Sequence, residues 1–138
     1  MKKTALINAE LSYLVASLGH FDEITIGDAG LPIPSQTQRI DLALTHGIPT
    51  FIDTVSVLLG EMQITGVILA SEFEQINPVL HRALLKLIAQ EQRQGKEISV
   101  SYIAHEEFKT RTRNSKAVVR TGECTPYANV IFQAGVVF

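Results

Sequence analysis

Residues 64–71 read ITGVILAS, an apolar run without a charged side chain. A run this short and this apolar predicts a strand covered on both faces, because a half-exposed strand would alternate with polar residues. Such a strand needs helices above and below its sheet. The flanking sequence supplies them. Upstream, Phe51, Ile52, Val55, Leu58 and Leu59 make a helical stripe over 50–61. Downstream, Asn77 and Pro78 form a helix start, Leu80, Leu84, Leu87 and Ile88 form its buried stripe, and Gly95 ends it.

The same alternation runs through the rest of the chain. Asn8 caps a first helix, Glu10 lies in its first turn, Leu11, Leu14, Val15 and Leu18 form its apolar face, and Gly19 stops it. Strands are predicted at 23–27, around Ile40, Leu42 and Leu44, and at Ile98, Val100 and Tyr102. HEEFKTRTRNS reads as a short polar helix, with Arg111, Arg113 and Lys116 on one solvated face. AVVRTG and NVIFQAGVVF read as closing strands that pair antiparallel. The expected architecture is α/β, a three-layer α/β/α sandwich with a mixed, mostly parallel sheet, in one domain over 1–138.

Composition narrows the function. The chain has 138 residues, a formal net charge of −2 and only 19% charged residues. No basic stripe is present, which argues against a nucleic-acid partner. Few charges on so small a domain suggest apolar surface covered by further subunits. The one cysteine, Cys124, excludes an internal disulfide and fits a reducing, cytoplasmic location. The apolar run after Lys2 and Lys3 is interrupted by Asn8 and Glu10, so neither a signal peptide nor a membrane segment is expected.

The motifs exclude further chemistry. His20, His46, His81 and His105 do not fall at metal-ligand spacing, and no phosphate-binding glycine loop occurs. No metal and no cofactor are therefore expected, and Cys124 has no adjacent histidine to activate it. His46 and His81 read as structural or solvated. In open α/β sheets ligands sit beyond the carboxyl ends of strands. Asp28-Ala29-Gly30 lies at one such end and His105 at another. Asp28 and Gly30 also suit an ordinary turn, and His105 a helix cap. His20 suits either the C-terminal end of a helix or proton transfer near neutral pH. Tyr127 and Asn129 project to one side of extended chain, an aromatic and an amide suited to a polyhydroxylated ring, although a packed proline turn uses the same residues.

The succession LGH, DAGLPIP, RIDLAL, HEEF, RTGE and PYAN, with TGECTPYANVI near the end, resembles the RbsD/FucU family of sugar mutarotases over essentially the whole chain. That resemblance implies an isomerase interconverting the β-pyranose and β-furanose forms of D-ribose without a cofactor. It implies His20 as catalytic proton donor, Asp28 and His105 as substrate-binding side chains, and Tyr127, Ala128 and Asn129 as the segment holding the sugar. It also implies homo-oligomeric, decameric rings with sites between adjacent subunits. Geometry agrees, because an extended chain from His20 to Asp28 runs about 26 Å at ~3.3 Å per residue. Either the segment folds back or His20 serves a neighbour's site. A non-catalytic ribose-binding component of sugar uptake and a small nucleotide-binding domain are the competing functions.

Overall fold

The computed structural model describes residues 1–138. Its strands are β1 (Glu23–Gly27), β2 (Gln38–Asp41), β3 (Ile64–Ala70), β4 (Ser99–Ile103), β5 (Ser115–Arg120) and β6 (Val130–Ala134). Its α-helices are α1 (Ala9–Ser17), α2 (Phe51–Leu59), α3 (Ser71–Ile76), α4 (Pro78–Gln94) and α5 (His105–Arg111). The six strands form one sheet in the order β2-β5-β1-β6-β3-β4. β1 pairs parallel with β5, β5 with β2, and β3 with β4, whereas β6 runs antiparallel to both neighbours. The mixed, mostly parallel sheet is as expected.

The two faces are covered unequally. Ile24 and Ile26 of β1, Val67 and Leu69 of β3, and Val130 and Phe132 of β6 join side chains of α1, α2, α3 and α4 in the larger core. On the opposite face Ile68, Ala70, Val118 and Ile131 pack under Phe108 of α5 and under Leu31. Residues 64–70 are therefore covered on both sides, and Ile64, Val67, Leu69 and Ala70 are all buried. The predicted helix 105–115 is shorter than expected and not purely polar, since Phe108 is fully buried.

Other departures have local causes. β5 and β6 do not pair with each other, because β1 lies between them and the 121–129 connection crosses over its end. β2 stops at Asp41, whose carboxylate accepts the Ala43 N–H in a tight turn, and Leu44 is left exposed. Arg111, Arg113 and Lys116 share no helix face. Arg111 ends α5 and pairs with Glu23, Arg113 lies in the 3₁₀ turn 112–114, and Lys116 is in β5 beside Asp22. His81 is buried rather than solvated. With Leu84 and Ile88 it falls at i, i+3, i+7 on the inner face of α4, between Phe73 and Tyr102, and its Nε2 lies 2.8 Å from the Tyr102 hydroxyl.

Candidate active site

An open cleft of about 480 Å³ lies beyond the carboxyl ends of β1 and β4. Asp28, Ala29, Gly30, Leu31, His105 and Tyr127 line it, with His46, Glu123 and Cys124. Its size suits one small ligand. Asp28 follows β1 directly, and three hydrogen bonds fix it, two of them to its carboxylate. The Oδ1 atom accepts the Gly30 N–H at 2.9 Å, and Oδ2 accepts the Asn129 side-chain N–H at 3.0 Å. The Asn129 carbonyl oxygen accepts the Asp28 backbone N–H at 2.8 Å.

His105 is the first residue of α5, past the cap position, and its backbone N–H donates to Glu72 at 3.0 Å. Its ring meets Tyr127 edge-on at 4.9 Å between centroids and packs over Phe108. Tyr127 has φ +65°, left-handed backbone that a bulky side chain adopts only when its surroundings compel it. Those surroundings include an Asn129 N–H bond to the Tyr127 carbonyl and Asn77, whose side-chain N–H donates to the Pro126 carbonyl. Asn77 thus braces the loop bearing Tyr127 instead of capping α4 with its side chain. Ala128 and Asn129 are fully buried beneath the cleft.

His20 is elsewhere. The turn 19–22 is closed by Gly19 and Asp22, whose backbone and carboxylate bond each other. The Phe21 N–H donates to Ala134, at the far end of β6 from Asn129. His20 and Asp28 therefore flank opposite ends of β1, which alone spans about 16 Å. His20 is exposed and stacks on Phe21, with centroids 3.8 Å apart and planes at 16°. Of the predicted site residues, the cleft brings together Asp28, His105 and Tyr127, rests on Ala128 and Asn129, and leaves His20 outside.

Two cleft residues carry no signal in a lone sequence. His46 sits on the turn that Gly47, at φ +77°, allows. That turn presses on Gly122 so closely that a Cβ there would strike the Ile48 backbone. Glu123 follows Gly122, and its carboxylate faces backbone N–H groups instead of a cation.

The model of the RbsD / FucU transport protein family matches residues 1–137. The chain belongs to the RbsD/FucU family. Among its family relatives, D-ribose pyranase of Psychromonas ingrahamii is 78% identical over the full length of both chains, and that of Photobacterium profundum 70% identical over the full length of both. The structure of Bacillus subtilis RbsD complexed with D-ribose is 46% identical, covers all of both chains and superposes with a TM-score of 0.91. The fucose mutarotase of Streptococcus pneumoniae, solved in complex with L-fucose, shares the fold at a TM-score of 0.82 and 22% identity over all of both chains.

Proposed function

We propose that this RbsD/FucU chain is a D-ribose pyranase, an isomerase that interconverts the β-pyranose and β-furanose forms of D-ribose in the cleft at the end of β1. The observation that carries this is full-length identity of 78% with a D-ribose pyranase. The 46% identical ribose-bound RbsD chain supports the same ligand.

Ring interconversion needs only proton transfers around C1. As the C1–O5 bond breaks, the anomeric hydroxyl gives its proton to solvent in the open cleft. Its oxygen becomes the carbonyl oxygen, and O5 takes a proton from His20; on closure the carbonyl oxygen takes a proton back from solvent. Closure reverses this with the 4-hydroxyl attacking C1 and losing its proton. His20 gives the proton to O5 and takes one from the 4-hydroxyl, an exchange suited to an imidazole at neutral pH. A positioned acid–base group supplies roughly 10²–10⁴-fold, enough for a reaction that already proceeds in water.

Asp28 accepts hydrogen bonds from sugar hydroxyls, His105 orients the ring, and Tyr127 packs against it. Ala128 and Asn129 complete the sugar-holding segment, with Asn129 acting by fixing Asp28. His20 reaches this cleft from an adjacent subunit, because its own β1 separates it from its own Asp28. The enzyme is accordingly a homo-oligomer, with Phe21 (63% exposed) beside His20 in the contact, and the resemblance to the RbsD/FucU family supports a decameric ring. Residues 1–138 act as one domain. The location is cytoplasmic, supported by an unpaired Cys124; no helix is long and apolar enough to cross a membrane.

Saturation-transfer NMR on ribose tests the activity. His20→Ala is expected to bind ribose while losing most of the accelerated exchange between ring forms. Exchange at the wild-type rate would remove His20 from the mechanism.

A further inference from the structure

Glu123 makes contacts that its place in the sequence does not suggest. It lies between β5 and Tyr127, and it bonds the start of α2, the Asp28 loop and its own loop. Its Oε2 accepts the N–H of Phe51, the first residue of α2, at 3.1 Å. Its Oε1 accepts the N–H of Thr125 at 3.2 Å, and its backbone carbonyl accepts the N–H of Ala29 at 2.8 Å. Ala29 adjoins Asp28, and Thr125 lies two residues before Tyr127. The Ala29 carbonyl is held from its other side by Arg120, whose Nε–H donates to it at 3.0 Å.

Charge strengthens the two ties made by the carboxylate. Desolvation pushes the Glu123 carboxyl up, but the N–H groups of Phe51, Thr125 and Cys124 outweigh it and hold the group below the usual carboxylate range. Hydrogen bonds to an ionised acceptor are about twice as strong as neutral ones. The N-terminal end of α2 adds the favourable field of its unpaired N–H groups. No lysine or arginine pairs with this carboxylate.

Given the pyranase activity proposed above, on which this rests, we propose that Glu123 is a positioning residue of the sugar cleft, tying the Asp28 loop through its backbone carbonyl and the Tyr127 loop through its carboxylate to α2 so that both grip the same ring. It touches the sugar's supports and leaves proton transfer to His20. Its contribution lies in sugar binding and not in the rate of ring opening.

The isosteric change Glu123→Gln keeps one acceptor oxygen and turns an NH₂ group toward an N–H donor. It is expected to raise both the KM and the ribose Kd about tenfold. Exchange at saturating ribose should stay within about threefold of wild type, because His20 is untouched. Thermal unfolding and circular dichroism, recorded alongside, separate positioning from a loss of folded protein. An unchanged Kd, or a collapse of the saturated rate at unchanged KM, overturns the proposal. If the variant does not fold, wild-type amide exchange decides: saturating ribose should slow exchange at Ala29, Phe51 and Thr125, and no slowing overturns it. A wild-type chain that binds ribose but does not exchange its ring forms ends the enzymatic reading alone and leaves the Kd comparison to judge Glu123. A wild type that binds no ribose overturns both.

Discussion

The side chain of Asn129 is given wholly to Asp28, accepting its backbone N–H at 2.8 Å and donating to its Oδ2 at 3.0 Å. A fully buried amide at the start of β6 thereby sets the direction of a carboxylate at the end of β1. Asn129→Ala removes the acceptor of the half-buried Asp28 N–H and frees the Asp28 carboxylate to rotate. We expect it to destabilise the fold by about 2 kcal/mol in urea unfolding and to weaken ribose binding severalfold. Unchanged ribose affinity in a destabilised variant would show that Asp28 does not need this support.

At the opposite end of β1, Glu23 is buried and takes two hydrogen bonds from Arg111, at 2.6 and 3.3 Å, and one from Gln133 at 2.9 Å. Arg111→Ala leaves that carboxylate buried without a cation. Arg111 is itself partly exposed, so the expected loss is about 2 kcal/mol, below that of a fully buried pair. Glu23→Gln, which still bonds Gln133, should cost less. Urea midpoints of the two variants check the order, and the ribose affinity of both should stay at the wild-type value.

His81 makes stability depend on pH. Burial lowers its pKa below the ordinary histidine value; Glu74 opposes this and Arg82 reinforces it. In the window from the unfolded value of about 6.5 downward to the lowered folded value, the unfolded chain binds more protons. The contribution of neutral His81 is therefore complete above about 6.5 and is lost as pH falls, at no more than about 1.4 kcal/mol per unit. Wild type should lose unfolding free energy between pH 7 and 5 more steeply than His81→Gln. Parallel curves would show that His81 does not titrate differently in the two states.

Phe21 holds φ +67° while stacked on His20, and its ring is mostly exposed. Left-handed backbone costs a bulky residue roughly 1–2 kcal/mol, which glycine does not incur. Phe21→Gly should keep stability within about 1 kcal/mol of wild type, because relieved strain offsets the flexibility gained by the unfolded chain. Ring-form exchange should nevertheless slow severalfold, since His20 loses the aromatic plane that orients it. Thermal unfolding and NMR exchange on the same sample read both effects.

Much of this was legible from short patterns. The doubly covered strand 64–70 and the α4 start at Asn77-Pro78 follow from local apolar spacing and local backbone chemistry, and both stand in the structure. Asp28 and His105 are legible as residues at strand carboxyl ends, while Tyr127 joins them only through the resemblance to the family. What sequence spacing does not carry is long-range backbone bonding. Glu123 reaches Phe51 across the fold, Asn129 reaches Asp28, and Gly122 receives the turn bearing His46, each through contacts distant in the chain. Of the two readings of His81, structural or solvated, the structure takes the first, because the Tyr102 hydroxyl partners its ring inside the core. The short connection between β5 and β6 suggests a hairpin, and only the whole sheet shows β1 inserted between them.

His20 of one subunit is expected to complete the Asp28 cleft of another. Mixing His20→Ala and Asp28→Ala chains, unfolding and reassembling them together, tests it directly. Each variant alone should be nearly inactive. Random assembly at equal amounts places an intact His20 beside an intact Asp28 in about a quarter of the shared sites, so ribose exchange should recover to about a quarter of wild type. Mixed assemblies that stay as inactive as their parents would mean that both residues must belong to the same chain, and would contradict the account.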